Sequence, residues 1–312
     1  MNFGPLFSAL FKVFILILAG YFLNRRKILD ARVNAGLSAL IVYLTDPALI
    51  LASINSVSAV GKGDILRLLL LGIGLYLLLP VLAWLLVRLF RVPVGQRGAF
   101  SLLLIFSNTG FMAIPVLKAL YGDVVVFYSS ILNLPFSLLI FSYGLYLLAK
   151  DSGQALALSW RKFISPGIIA SILALLIYFC GWQLPGFLNE ALSFIGDTTP
   201  PLSMLLLGSI LAEYPLKGLF RDWRLNLFML MKLTLIPALL FPVAYVVFNG
   251  NPELVGFVTL TFGMPAATLN AMLCKQYGGD TRTAAVGVTF STALSMFTIP
   301  LLYWLLTFIL GA

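Results

Sequence analysis

Histidine is absent from this chain, cysteine occurs only twice, and charged side chains make up just 10% of its residues. Without histidine the commonest metal ligand is missing, as is the side chain best suited to titrate near neutral pH. His-based catalytic triads and His-Glu-x-x-His zinc sites are excluded with it, and no phosphate-cradling P-loop is present either. The two cysteines, Cys180 and Cys274, fall near opposite ends of different apolar stretches. That puts them on opposite membrane faces, too far apart for an intrachain disulfide. What fills the chain instead is apolar: 61% hydrophobic residues and a mean hydropathy of +1.04 over 312 residues. A soluble domain of this length does not have that composition. The sequence reads as an all-α, polytopic membrane protein.

Stretches long enough to cross about 30 Å of hydrocarbon fall at 5–23, 35–54, 65–89, 98–120, 124–149, 166–182, 187–211, 225–248, 252–276 and 283–310. Ten helices are therefore expected. Cytoplasmic loops should hold the excess of Lys and Arg. Fifteen of the twenty basic residues fall after odd-numbered helices, whereas Lys62, Arg67 and Lys118 fall on the other side and Lys12 and Lys232 inside spans. The chain is thus expected in the cell inner (plasma) membrane with both termini on the outer side. Five short basic loops also account for the net charge of +9 without a nucleic-acid partner, which would call for one concentrated patch. The first helix lacks the leading positive residues and the cleavage site of a signal peptide. It is expected to stay in the mature protein.

The halves show ordered self-similarity at an offset of about 155 residues. Leu44-Thr45-Asp46-Pro47-Ala48-Leu49 matches Asp197-Thr198-Thr199-Pro200-Pro201-Leu202, and Ala119-Leu120-Tyr121-Gly122-Asp123 matches Gln276-Tyr277-Gly278-Gly279-Asp280. Five helices per half is an odd number, so the second half enters the membrane reversed. A first repeat at 1–149, a cytoplasmic linker at 150–162 and a second repeat at 163–312 follow. No loop has room for a soluble enzymatic domain.

Two spans are interrupted at corresponding places, by Phe106-Ser107-Asn108-Thr109-Gly110 with Pro115 downstream, and by Gly263-Met264-Pro265-Ala266 with Thr268 and Asn270 downstream. Lipid offers no hydrogen-bond partners, so a spanning helix unwinds only where protein or a watery cavity satisfies the freed backbone. Counting at about 1.5 Å per residue, eleven residues from Arg97 to Asn108 and twelve from Glu253 to Pro265 put both breaks near the midplane. Half-helices starting after Asn108 and after Met264 would aim unpaired N–H groups and positive dipole ends at the centre, which suits a carboxylate. A kink of this kind is often only structural; two at equal depth point to a binding site.

Ionisable residues within spans are rarer. Asp46 beside Pro47, and Asp197 in the matched place, are expected to cap restarted half-helices, with Asp46 the better proton or cation candidate. Lys12, near the middle of the first helix, is the expected partner for an internal acid or a passing anion. Lys232, about two turns from a helix end, is expected to snorkel. Gly61-Lys62-Gly63-Asp64 matches the Gly-x-Gly-Asp pattern of intramembrane aspartyl proteases, with Asp123 on the same face. Both acids stand at helix starts, however, where Asp is a favoured cap, and no enzyme is expected.

Asn108-Thr109-Gly110-Phe111-Met112-Ala113-Ile114-Pro115 followed by Ala119-Leu120-Tyr121-Gly122-Asp123, and Met264-Pro265-Ala266-Ala267 followed by Tyr277-Gly278-Gly279-Asp280, resemble the paired motifs of the auxin efflux carrier family in its short bacterial form. The likeness covers nearly the whole chain. It implies a five-plus-five inverted repeat akin to sodium/bile-acid symporters, with crossing helices 4 and 9. It also implies a scaffold of helices 1, 2, 6 and 7, a transport unit of helices 3–5 and 8–10, elevator-type alternating access, and homodimers. Carried over by position, Asn108, Thr109, Gly110, Pro115, Pro265, Thr268 and Asn270 would line the site for a small organic anion such as a carboxylate or an auxin-like acid. No cofactor or metal is implied beyond a coupled proton or sodium ion. The expected function is secondary transport; the alternative is a membrane sensor or channel using the same cavity without turnover.

Overall fold

The computed structural model describes residues 4–57, 60–153, 165–213 and 222–311. The expected linker and the basic residues Arg161, Lys162, Lys217 and Arg221 lie wholly or partly outside them. Among the described residues the structure is all helical: α1 Gly4–Arg25, α2 Ala31–Leu40, α3 Asp46–Ala52, α4 Lys62–Leu89, α5 Arg97–Ile105, α6 Ala113–Tyr121, α7 Val124–Leu139, α8 Leu145–Ser152, α9 Pro166–Cys180, α10 Gly186–Gly196, α11 Thr199–Glu213, α12 Trp223–Val247, α13 Pro252–Phe262, α14 Thr268–Gln276 and α15 Thr281–Leu310. A π-helical turn at Ile41–Thr45 joins α2 to α3, and another at Ile140–Gly144 joins α7 to α8. Among the described residues six runs are long and apolar enough to cross a membrane: Ala31–Val57, Lys62–Leu89, Val124–Ser152, Gly186–Glu213, Trp223–Val247 and Thr281–Leu310. Val94–Ile105, Pro166–Cys180 and Pro252–Phe262 are shorter apolar helices.

These helices show large apolar side chains on their outside, including Phe11, Phe22, Leu77, Phe194, Val246 and Phe297. In water that would be an aggregation hazard; against lipid tails it costs nothing. The hydrophobic effect cannot then drive helix against helix, and close approach of small residues takes over. The α1–α11 contact shows this directly. A Cβ built on Gly20 would stand 2.0 Å from the Leu205 carbonyl oxygen, and one on Gly208 would stand 1.8 Å from that of Ile17. Only hydrogen at both positions lets the two backbones touch.

The helices pack in two neighbourhoods. In one, α1 lies on α11, and α3 lies between α9 and α10. In the other, α4 packs on α5 and α7, while α12 and α15 pack on α13 and on each other. The neighbourhoods meet where α1 touches α6 and where α7 touches α9.

Helix ends sort to opposite ends of the bundle. At one end Lys62 donates to the Phe179 carbonyl (2.8 Å), Tyr178 to the Val60 carbonyl (2.7 Å), and Tyr128 to Glu253 (3.0 Å). Across the bundle the Asp151 carboxylate accepts from the Gly98 N–H at the start of α5 (2.6 Å), and Asn34 donates to Glu213 (3.1 Å). A carboxylate on a helix N-terminus meets both its unpaired donors and its positive dipole end.

Candidate functional site: a crossing of two broken helices

Between α5 and α6 the chain leaves helical geometry from Phe106 to Met112, and between α13 and α14 from Gly263 to Ala267. The two interruptions pair with each other. Ser107 and Ala266 face one another as a single antiparallel bridge. Around it the Asn108 N–H donates to the Pro265 carbonyl (2.7 Å) and the Ala267 N–H to the Phe106 carbonyl (2.9 Å). Each break thus satisfies the backbone groups freed by the other, which is how unwound chain survives at depth in an apolar interior. Proline at 265 fits because its carbonyl accepts a bond while its missing N–H is not needed.

The half-helices restart later than the sequence indicates, at Ala113 and Thr268 rather than directly after Asn108 and Met264. The cause at the first break is local. The Thr109 N–H folds back to the Ser107 carbonyl (2.9 Å), and the Asn108 side-chain oxygen captures the Phe111 N–H (3.1 Å). Such side-chain capture is the habit that makes Asn a turn former. The Ala113 N–H then bonds to the Asn108 carbonyl (3.1 Å), and α6 begins.

Asn270, in the first turn of α14, donates through Nδ2 to the Phe106 carbonyl (3.0 Å), so that one carbonyl serves both Ala267 and Asn270. Both carboxamides are oriented by these bonds, since Asn108 must offer oxygen to an N–H and Asn270 must offer nitrogen to a carbonyl. One donor, Asn108 Nδ2, and one acceptor, Asn270 Oδ1, are left over, buried and without a hydrogen-bond partner among the described residues. Buried polar atoms are almost always paired. Two unspent ones stand beside this one crossing.

Of the other expected site residues, Thr109, Pro265 and Thr268 are buried in the crossing and Gly110 is exposed beside it. Pro115 is half-buried on α6 and lines a cavity of about 420 Å³ with Lys12, Pro200, Pro201 and Met204. The crossing itself is closed in this conformation: Asn108 is 4% exposed and Asn270 fully buried.

The ionisable residues stand differently from expectation. Lys12 is exposed in that cavity, and among the described residues no acid pairs with it. Asp46 does not cap a restarted helix, because the π-helical turn runs into α3 without a gap and the Asp46 N–H bonds to the Ile41 carbonyl. Its carboxylate instead faces the start of α9, 3.2 Å from where a Cβ on Gly167 would sit. Pro47 follows at the second position of α3, directly after the π-helical turn, so its missing N–H falls where the helical ladder is already irregular. Asp197 cannot cap α11 through the usual donors, since Pro200 and Pro201 have none; it pairs with Lys118 at 2.7 Å. Lys118 also holds Asp123 at 2.8 Å, and Asp64 pairs with Arg67 at 3.1 Å. The two acids of the protease-like pattern are therefore committed to different cations.

Lys232 corrects the expectation of snorkelling. It is fully buried, and its ammonium donates to Ser107 Oγ in one break (2.8 Å) and to the Met264 carbonyl in the other (2.8 Å). It is the residue of this site that the sequence reading missed. Tyr76 is a second: its ring packs on Phe262 at the end of α13 (centroids 5.6 Å apart), and its hydroxyl is buried without a partner among the described residues.

A helical protein with outward-facing apolar surface and two discontinuous helices crossing inside it has the build of a membrane transporter. The model of the family described as "Membrane transport protein" matches residues 5–159 and 154–303, and the chain belongs to that family, the auxin efflux carriers. It is similar to an uncharacterized transporter of Methanocaldococcus jannaschii, at 26% identity over 94% of this chain and 96% of the relative. It is also similar to an uncharacterized transporter of Methanothermobacter thermautotrophicus, at 25% identity over 93% of this chain and 94% of the relative.

Proposed function

We propose that the chain is a secondary carrier of small organic anions, such as carboxylates or auxin-like acids, that binds its substrate at the crossing and works by elevator-type alternating access. The observation that carries the reading is the pair of unspent buried groups, Asn108 Nδ2 and Asn270 Oδ1, beside the half-helix starts at Ala113 and Thr268. A carboxylate meets a side-chain donor and two positive dipole ends there. Apart from Lys232 the crossing is neutral, so an anion can be held and also released.

The same proposal takes the helices as ten spans in two inverted repeats. α1, α2–α3, α9 and α10–α11 form the scaffold; α4–α8 and α12–α15 form the moving unit. The packing supports this division, since contacts are dense within each set and cross between them mainly at α1–α6 and α7–α9. Placement in the plasma membrane with both termini outside, homodimers, and coupling to a proton or sodium ion belong to the proposal too.

Proteoliposomes loaded with mono- or dicarboxylates test it. Wild type should accelerate exchange when substrate is present on the far side, and Asn108→Ala and Asn270→Ala should each lose exchange while melting as folded proteins. Unchanged transport in both variants would remove the site. Flux without acceleration by far-side substrate would make the protein a channel.

A further inference from the structure

Lys232 presents a problem of charge. An ammonium withdrawn from water carries a desolvation penalty of several kcal/mol, and the usual remedy is a carboxylate alongside. Among the described residues no Asp or Glu oxygen lies within salt-bridge distance of Lys232. What surrounds the ammonium is neutral oxygen: Ser107 Oγ and the Met264 carbonyl, each at 2.8 Å. The Ser107 hydroxyl in turn donates weakly to the carbonyl of Phe262, the last residue of α13 (3.4 Å).

That arrangement has the chemistry of an alkali-cation site. Carbonyl and hydroxyl oxygens are the ligands of hard cations. The end of a half-helix adds negative dipole, and unwound carbonyls at a helix break are where transporters hold a coupling cation. Here both breaks contribute, one through Ser107 and the other through Met264, and a side chain from α12 supplies the positive charge.

We propose that the Lys232 ammonium is a built-in cation: it fills the oxygen site that the crossing would otherwise offer to sodium, so the site takes no sodium from solution, anion transport needs none, and of the two coupling ions named above only the proton is left. Lys232 is in this view a positioning residue. It holds Ser107 and Met264 together across the two breaks and leaves the backbone exchange between Asn108, Pro265, Phe106 and Ala267 in register. The inference about transport rests on the carrier reading above; the cation site itself does not.

The experiment therefore has two arms. In the first, purified wild type, Lys232→Met and Lys232→Ala are melted in choline, sodium and methylammonium chloride at equal ionic strength. Wild type and Lys232→Met, whose side chain fills the space, should melt at the same temperature in all three salts. Lys232→Ala should melt several degrees lower in choline and regain most of that loss, saturably, in sodium or methylammonium, as a ligand that binds only the folded state must act. A Lys232→Ala protein indifferent to the cation, or a wild type stabilised by sodium over choline, overturns the proposal. If Lys232→Ala yields no folded protein, Lys232→Ser replaces it with the same expectation, and the wild-type comparison stands regardless.

In the second arm, wild-type carboxylate exchange is compared in sodium and in choline. Equal rates are expected, and exchange that requires sodium overturns the inference while leaving the carrier reading intact. Absence of any anion exchange counts against the carrier reading alone, and the melting arm still decides the cation site.

Discussion

Lys118 on α6 donates to Asp197 at the α10–α11 junction across 2.7 Å, and the pair ties the half-helix leaving the crossing to the neighbourhood that holds α1 and α11. Lys118 is 27% exposed and Asp197 59%, so solvent screens the attraction and its worth to folding is at most about 1 kcal/mol. Its effect on a motion can be larger than its effect on stability, because it joins elements that the proposed elevator motion would separate. Asp197→Asn should leave the melting temperature nearly unchanged. It should also speed hydrogen exchange at the ends of α6 and α10, by up to about fivefold if the full 1 kcal/mol is released. Unaltered exchange at both ends would mean that the pair holds nothing.

The α1–α11 contact makes a sharper prediction about stability. Gly208→Ala would drive a methyl group to 1.8 Å from the Ile17 carbonyl oxygen, and backbone, unlike a side-chain tip, cannot swing aside. Overpacking of this sort costs about 1–3 kcal/mol or more. Gly74→Ala, in a helix and with nothing within 4 Å of the new methyl, is the matched control. It should be neutral or stabilising by up to about 1 kcal/mol. Thermal melts of the two variants should move in opposite directions or differ by several degrees.

How legible the site was depended on whether a residue announced itself in one dimension. The breaks did: Asn108-Thr109-Gly110 and Gly263-Met264-Pro265 interrupt apolar runs with turn chemistry, and the structure opens both helices there. The restart at Ala113 did not, because it depends on a carboxamide capturing the Phe111 N–H. Lys232 was misplaced for a different reason. Depth along α12 puts it near a helix end, whereas its fate follows from the face it occupies. Leu225, Phe228, Met229, Lys232, Leu233, Ile236, Pro237, Leu240 and Ala244 form the buried stripe of α12, at the three- and four-residue spacing of one helical face. A lone lysine in that stripe was visible in the sequence. Asp46 and Asp197 misled because matched sequence suggested matched roles, yet one faces the start of α9 and the other Lys118.

Asn270 should matter to the fold as well as to transport. Its Nδ2 is one of two donors to the Phe106 carbonyl, and the other, the Ala267 N–H, survives any side-chain change. Asn270→Ala therefore weakens but does not orphan that carbonyl, and a loss of about 1 kcal/mol is expected rather than the larger cost of an unpaired buried group. Asn270→Leu leaves the same carbonyl with the same remaining donor, but places a larger apolar side chain where Asn270 is fully buried. It should cost more than Asn270→Ala. Denaturation in mild detergent gives both values, and equal losses would show that the site has room to spare.

The proposed orientation in the membrane can be read with the two native cysteines. Cys180 is exposed at the end of α9, while Cys274 is buried in α14. Lys62, on the outer side by the count of basic loops, bonds to the Phe179 carbonyl next to Cys180, so both must share that side. A maleimide that cannot cross membranes should label intact cells expressing the protein at one site per chain, Cys180, and Cys180→Ser should abolish the signal. Cys274 should react only after denaturation, because a thiol without solvent access cannot meet the reagent whatever side it faces. Labelling of Cys180 that appears only once the membrane is permeabilised would reverse the orientation of every helix while leaving the crossing as described.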